Sequence, residues 1–204
     1  MRNTAGRTRR AIVLVTAFVG LGGVLSAPLA SATEVAAPVG ETVAVAEATA
    51  SETAVSEAEV AAAPKVSRDE VINRAKVWLT ANNGKQVPYS QSKVWKDGYR
   101  QDCSGYVSMA AKLAKPGPNT VGLFDSHTVA INRKDLRKGD LLIDKIGGSN
   151  SRHVVIFEKW ADSAHTKYWA YEQRGGHGTD HRILSYGMSD NSQYKARRLK
   201  NITG

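Results

Sequence analysis

Residues 102–118 read DCSGYVSMAAKLAKPGP, and the fold turns on them. Asp102 suits a helix N-cap. Tyr106, Val107, Ala110, Ala111 and Leu113 recur at the spacing that gives a helix one buried side, and Pro116-Gly117-Pro118 stops it. Upstream, Ser67-Arg68-Asp69-Glu70 is a capping box. With Val71, Ala75, Trp78 and Leu79 behind it, it predicts a first helix over about 67–81, closed by Asn82-Asn83-Gly84. The stretch between the helices, 87–101, reads as irregular, with Pro88, Gly98 and the aromatics Tyr89, Trp95 and Tyr99. Beyond Pro118 the periodicity changes. Short β-branched or aromatic runs at 141–144, 153–160, 167–173, 182–186 and 194–199 are bounded by Gly, Asn, Ser and Asp and predict strands. Helices followed by strands argue for an α+β domain in which the helix after Asp102 packs on an antiparallel sheet. No internal repeat is visible.

The amino-terminal third has a different composition. Arg2, Arg7, Arg9 and Arg10 precede an uncharged stretch from Ala11 to Ala32 that ends in Ala30-Ser31-Ala32, the small-x-small pattern of a signal peptidase site. Residues 1–32 are therefore expected to be an export signal, with the mature chain starting at Thr33. The alternative, a membrane anchor, is disfavoured because the strongly apolar core ends near Leu25, short of the ~20 residues that span a bilayer. Residues 33–64 contain six Glu, no Lys or Arg and no aromatic residue. Such a stretch cannot bury enough apolar surface to offset chain entropy and reads as a disordered linker or pro-segment. Residues 65–204 then form the domain, with 24 basic against 13 acidic residues. That excess favours anionic partners such as wall polymers. The expectation is a secreted or wall-associated monomer with no membrane span after cleavage and no nucleic-acid partner.

The chain has a single cysteine, Cys103, which cannot form an internal disulfide. An exported thiol meets oxidising conditions, and a buried inert cysteine is one reading of it. Its position favours another. At the start of a helix, unpaired backbone N–H groups and the helix dipole stabilise a thiolate, nearby amides can hold an oxyanion, and Gly105 lets another chain or a substrate come close. A thiolate nucleophile needs an imidazole. Of His127, His153, His165, His177 and His181, the best placed is His153, because it opens the apolar run Val154-Val155-Ile156-Phe157 and would be held at the edge of a buried strand. The other four read as polar-loop residues or as the start of a weaker strand. His177 and His181 sit four apart, but the glycines around them exclude a metal-binding helix, so neither metal nor cofactor is expected.

With these residues in view, the sequence resembles the NlpC-like family of cell-wall cysteine peptidases and amidases. Asp102-Cys103-Ser104-Gly105-Tyr106 is similar to the family's nucleophile motif, 136–142 to its Gly-Asp-Leu segment and 153–157 to its histidine strand, in the same order and spacing. The resemblance covers about 71–186. It implies a reduced papain-like fold, Cys103 as nucleophile, His153 as base, and Tyr89 near the nucleophile in a Pro-Tyr element. Tyr89, Asp102 and Ser104 are the expected substrate-binding residues. Ser90 to Trp95 lacks the glycines usual in the family, and His153 is followed by Val-Val where Val-Gly is commoner.

The resemblance also places the residue that orients His153 on the strand expected at 167–173. Glu172 and Gln173 point to opposite faces there, so only one can look at the imidazole. Alignment favours Glu172, where the family commonly has histidine; an exposed Glu172 paired with Arg174 or Arg182 is the competing reading. The expected activity is hydrolysis of an amide bond in peptidoglycan stem peptides through an acyl-enzyme. Acyl transfer by the same Cys-His pair and a non-catalytic basic wall-binding or inhibitory protein are the alternatives.

Overall fold

The computed structural model describes residues 63–204. The expected export signal, 1–32, and residues 33–62 of the expected linker lie outside the described residues. The chain enters through a two-residue strand β1 (Val66–Ser67) and turns into helix α1 (Arg68–Val77). Ser67 caps that helix, its Oγ accepting from the Glu70 N–H at 3.1 Å. The helix stops at Trp78, a turn short of the expected end. The chain then winds through further turns to Asn83 and Gly84, which take positive φ of 53° and 82°.

Helix α2 (Cys103–Ala110) begins where the sequence places it, with an Asp102 carboxylate oxygen accepting from the Gly105 N–H at 2.6 Å. All eight of its residues are buried. One apolar side was too narrow an expectation, because α1 and the sheet pack against it from different directions. It also ends earlier than Pro116 requires. Lys112, with a φ of 56°, has already left the right-handed path.

A third helix, α3 (Thr120–Ser126), was not expected; Asn119 caps it by accepting from the Gly122 N–H at 2.8 Å. His127 ends it and is buried, not in a polar loop.

The strands follow as β2 (Thr128–Ala130), β3 (Leu141–Asp144), β4 (His153–Trp160), β5 (Tyr168–Arg174), β6 (Gly178–Leu184), β7 (Lys195–Leu199) and β8 (Ile202–Thr203). Six form one antiparallel sheet in the order β2-β7-β3-β4-β5-β6, while β1 and β8 pair in parallel. The protein is thus mixed α and β with an antiparallel sheet and few helices. β6 starts four residues before the expected 182, so His181 lies within a strand.

Both faces of the central strands are covered. Leu141, Ile143, Val154, Ile156 and Tyr171 share a core with Val71, Ala75 and Trp78 of the α1 region and with Tyr106, Val107 and Ala110 of α2. Leu142, Val155, Phe157, Tyr168, Ala170 and Leu184 face the other way, against Leu136, Tyr186, Met188 and Tyr194. This explains the unbroken apolar run after His153, because alternate residues of a strand buried on both faces must all be apolar. Each large side chain so buried contributes about 1.5–3 kcal/mol.

Asp140 ties the layers together. Its carboxylate is fully buried and accepts from Arg68 Nη1 (3.0 Å) on α1, from Arg198 Nε (2.9 Å) and Nη2 (2.7 Å) on β7, and from the Arg137 N–H (2.8 Å). The Gly-Asp-Leu segment is therefore a structural joint in this chain. Among the described residues no helix is long and apolar enough to cross a membrane.

Candidate active site

Cys103 is the first residue of α2 and only 5% exposed. Its Sγ lies 3.8 Å from the Thr120 hydroxyl at the start of α3. Arg100 holds these two helix starts together. Its guanidinium donates to Asp102 Oδ2 (2.8 Å), Ser104 Oγ (3.0 Å) and the carbonyls of Gly117 and Pro118. Gly105 is needed for the same packing, since a Cβ there would sit 2.2 Å from the Arg100 carbonyl oxygen. The chain that Gly105 admits is thus the protein's own backbone, not a substrate.

Asp102 and Ser104 are likewise occupied. Asp102 caps α2 and pairs with Arg100, and Ser104, 2% exposed, is bonded to both Asp102 and Arg100. Their side chains position Cys103 at the start of α2, and their bonds are made within the chain rather than to a substrate.

His153 opens β4 with a side chain 17% exposed, and its Nε2 lies 2.7 Å from Glu172 Oε2 on β5. Register explains the meeting. Glu172 pairs across the sheet with Val155, two residues on from His153, so all three side chains share a face. The Glu172 carboxylate is fully buried, and its second oxygen accepts from Arg182 Nε on β6 at 2.5 Å. The competing reading of Glu172 as an exposed carboxylate is wrong about exposure, but its pairing with Arg182 is present beside the bond to His153.

Opposing forces act on the imidazole. Burial pushes its pKa down, but hydrogen bonds to the Cys103 sulfur and the Glu172 carboxylate, together with their negative charge, raise it from 6.5 to about 9. Burial likewise pushes Glu172 up, and its bonds to His153 and Arg182 outweigh that and leave it below the usual carboxylate value. His153 is thus biased toward its protonated form at neutral pH, beside the Cys103 sulfur and bonded to the Glu172 carboxylate. It is placed to give a proton to a leaving group and to take one back.

No family model matches the chain, and no curated protein matches it. Among solved structures it is similar to one from Staphylococcus aureus. That protein, of Staphylococcus aureus subsp. aureus Mu50, is described as similar to a lipoprotein of the NLP/P60 family; the identity is 18%, the TM-score 0.43, and the match covers 76% of this chain and 45% of that one. The chain thus spans under half the length of that protein, and so distant a likeness says nothing about which bond is cut.

Tyr89 is half-buried, and its hydroxyl accepts from Gln91 Nε2 at 3.2 Å. Burial raises its pKa, with smaller upward contributions from Cys103 and Asp102. Gln91 also donates to Ser149 O (3.0 Å) and Asn150 Oδ1 (3.1 Å), joining this loop to the turn before β4.

Sequence reasoning missed three neighbours, Thr120, Tyr186 and Tyr194, and named Arg182 only as a competing partner of Glu172. Thr120 lies beside the sulfur and Arg182 behind Glu172, while Tyr186 and Tyr194 stack on each other (4.9 Å, 20°) and meet His153 edge-on at 6.2 and 6.5 Å. The Asn119 cap was the one local signal that could have found Thr120.

Gln173 faces away from His153. Fully buried, it donates to the carbonyls of Val87 (3.3 Å), Pro88 (3.1 Å) and Gln101 (3.1 Å) and accepts from Thr179 Oγ1 (2.7 Å), so it clamps the Tyr89 loop to β5 and to the approach to Cys103. The two adjacent residues should separate cleanly on substitution. Glu172→Gln should lower turnover about 100-fold or more while changing the fold little. Gln173→Ala should cost about 2 kcal/mol of stability, because it strands buried carbonyls. Turnover and chemical denaturation measured on both variants check this, and the reverse pattern would refute the assignment.

Proposed function

We propose that residues 65–204 form a cysteine hydrolase of the reduced papain-like type, exported and active on amide bonds of peptidoglycan stem peptides. The observation that carries the chemistry is a single imidazole held between the Cys103 sulfur and the buried Glu172 carboxylate. The wall as substrate rests on the three sequence motifs, with support from the basic excess of the domain, which suits an anionic polymer.

In the reaction, the Cys103 thiolate attacks the amide carbon and the carbonyl π electrons move onto oxygen. Backbone N–H groups at the start of α2 are the natural donors to that oxyanion. Collapse breaks the C–N bond, and His153 gives its proton to the departing amine, leaving a thioester. Water then attacks the thioester carbon with neutral His153 taking its proton, and the acid leaves as the thiolate and imidazolium are restored. Glu172 holds the ring by Nε2 throughout, which leaves Nδ1 for the sulfur and the reacting atoms.

The raised histidine pKa gives a pH dependence with a definite sign. Turnover should fall as pH rises through about 9, where the proton for the leaving amine is lost. The stability supplied by protonated His153 runs the same way, being fully present below its ordinary 6.5 and lost as pH rises through about 9. Glu172 acts oppositely, its contribution being present above its ordinary 4.5 and lost on acidification. A turnover profile whose basic limb lay near 6.5 would contradict this.

The substrate itself is tested by digesting purified peptidoglycan and general protein substrates and identifying new amino termini by mass spectrometry. New termini confined to stem peptides are expected. Cleavage of general proteins alone would remove the wall from the reading, and no cleavage of either would remove hydrolysis.

A further inference from the structure

Glu172 raises a problem for the chemistry just proposed. A buried carboxylate whose full charge fell on His153 would bind the imidazolium proton too tightly for it to reach a leaving amine. The surroundings of that carboxylate contain the remedy. Arg182 Nε reaches Oε1 at 2.5 Å, on the opposite side from His153 at Oε2, and Arg182 Nη2 is itself held by the Tyr186 hydroxyl at 3.0 Å. Tyr186 is one of the two rings packed edge-on against His153, so a closed loop of contacts runs from His153 through Glu172, Arg182 and Tyr186 back to His153.

Arg174 could not substitute. Its Nε is 3.9 Å from Glu172 Oε1, and its guanidinium is committed to Asp180 through bonds of 3.0 and 2.8 Å. We infer that Arg182 is a positioning residue that acts as a counter-charge, holding one oxygen of Glu172 so that the other is aimed at His153 with only part of the carboxylate's charge spent on the imidazole.

The other groups around the pair are accounted for. Cys103 reaches the imidazole from α2, and Asp144 on β3 lies opposite His153 in register with one carboxylate oxygen accepting from the Ile146 N–H at 2.9 Å. Tyr168 on β5 and Tyr194 before β7 have pKa values raised by burial, so they stay neutral across the working range. Asp180 on β6 is bonded to Arg174 at 2.8 Å, with the same oxygen 3.6 Å from His177 Nε2 and 3.8 Å from Arg182 Nε. Within this set Arg182 is the cation in short contact with the Glu172 carboxylate.

The inference rests on the Cys-His reading but is tested on the histidine alone, so failure of the two can be told apart. The His153 ring is followed by NMR through a pH titration in the wild-type protein, Arg182→Met, Arg182→Lys and Tyr186→Phe. Arg182→Met removes the charge and keeps most of the side-chain length. The His153 titration should move up by about one pH unit, a modest figure because the Arg182 side chain is 38% exposed and partly screened. Arg182→Lys restores the charge and should return the titration close to the wild-type value. Tyr186→Phe leaves the guanidinium in place but untethered and should give a smaller upward movement. That variant still reads the idea if Arg182→Met fails to fold. Where hydrolysis is measurable, the basic limb of turnover should follow the titration, and the maximal rate of Arg182→Met should fall about 10-fold. A titration that is unchanged or lowered in Arg182→Met, or raised equally in Arg182→Lys, would overturn the inference. An upward movement in a protein that cuts neither wall nor general protein substrates would keep it and refute only the hydrolase reading.

Discussion

Cys103→Ala is expected to abolish hydrolysis, by at least about 10⁴-fold, in a protein that still folds. The two halves of that expectation have different physical sources. Loss of rate follows because the other side chains that meet His153, Glu172, Tyr186 and Tyr194, carry a carboxylate or phenols and no thiol, and these are far weaker nucleophiles toward an amide at neutral pH. Retention of the fold follows because α2 is secured elsewhere, by the Asp102 cap, four hydrogen bonds from Arg100 and the close packing at Gly105. Truncating a small sulfur-bearing side chain removes little buried surface, about 1 kcal/mol. Turnover and a melting curve on the same preparation check both halves. Near-normal turnover by folded Cys103→Ala would end the enzymatic reading.

The largest effect on stability is expected from Asp140→Ala, at about 3 kcal/mol. Removing one partner from a buried ion pair costs about 3–5 kcal/mol, because the remaining charge is left without compensation. The lower end applies here. Arg68 and Arg198 keep 12% and 22% of their side chains exposed and can turn toward water once Asp140 is gone. Arg68→Ala should cost less, since Arg198 still answers the carboxylate through two bonds. The shift of the urea midpoint measures each, and a loss below about 1 kcal/mol for Asp140→Ala would show that the joint is replaceable.

What the sequence could tell depended on whether local chemistry agreed with the tertiary environment. The ends of β3 and β4 were legible because their residues are buried on both faces and flanked by turn formers, so composition and context give the same answer. α3 was not, since Thr120-Val121-Gly122 combines two β-branched residues with a glycine, and only the Asn119 cap and contact with the rest of the chain make it a helix. The start of β6 was hidden for a related reason. Gly178-Thr179-Asp180-His181 has weak strand propensity, yet β5 pairs with it residue by residue from Arg174 to Tyr171.

The site divides in the same way. That only one of Glu172 and Gln173 could face His153 is a matter of alternation, readable from the strand alone. That Glu172 would be shared with Arg182 required the register between β5 and β6, in which Arg182 stands opposite Ala170, two residues from Glu172 on the same face. Thr120 is 17 residues from Cys103 in the chain and meets it only because Arg100 folds the Gly117-Pro118 turn back onto α2. No sequence window contains that contact.

The pairing of β1 with β8 has a mechanical meaning. The chain enters at Pro64 and leaves at Gly204 through adjacent strands that run in the same direction. Tension applied to those two points would draw the strands past each other lengthwise, loading their bonds in shear together instead of opening them one by one. The bonds that would share the load are the Val66 N–H to the Asn201 carbonyl (3.0 Å), Asn201 Nδ2 to the Pro64 carbonyl (2.8 Å) and Arg68 Nε to the Gly204 carbonyl (2.5 Å). Asn201 Nδ2 also donates to the Ala111 carbonyl at the end of α2, so the pull would run into the helix that carries Cys103. A domain tethered at both ends would bear strain along that line, and the helix that begins at Cys103 would lie on it.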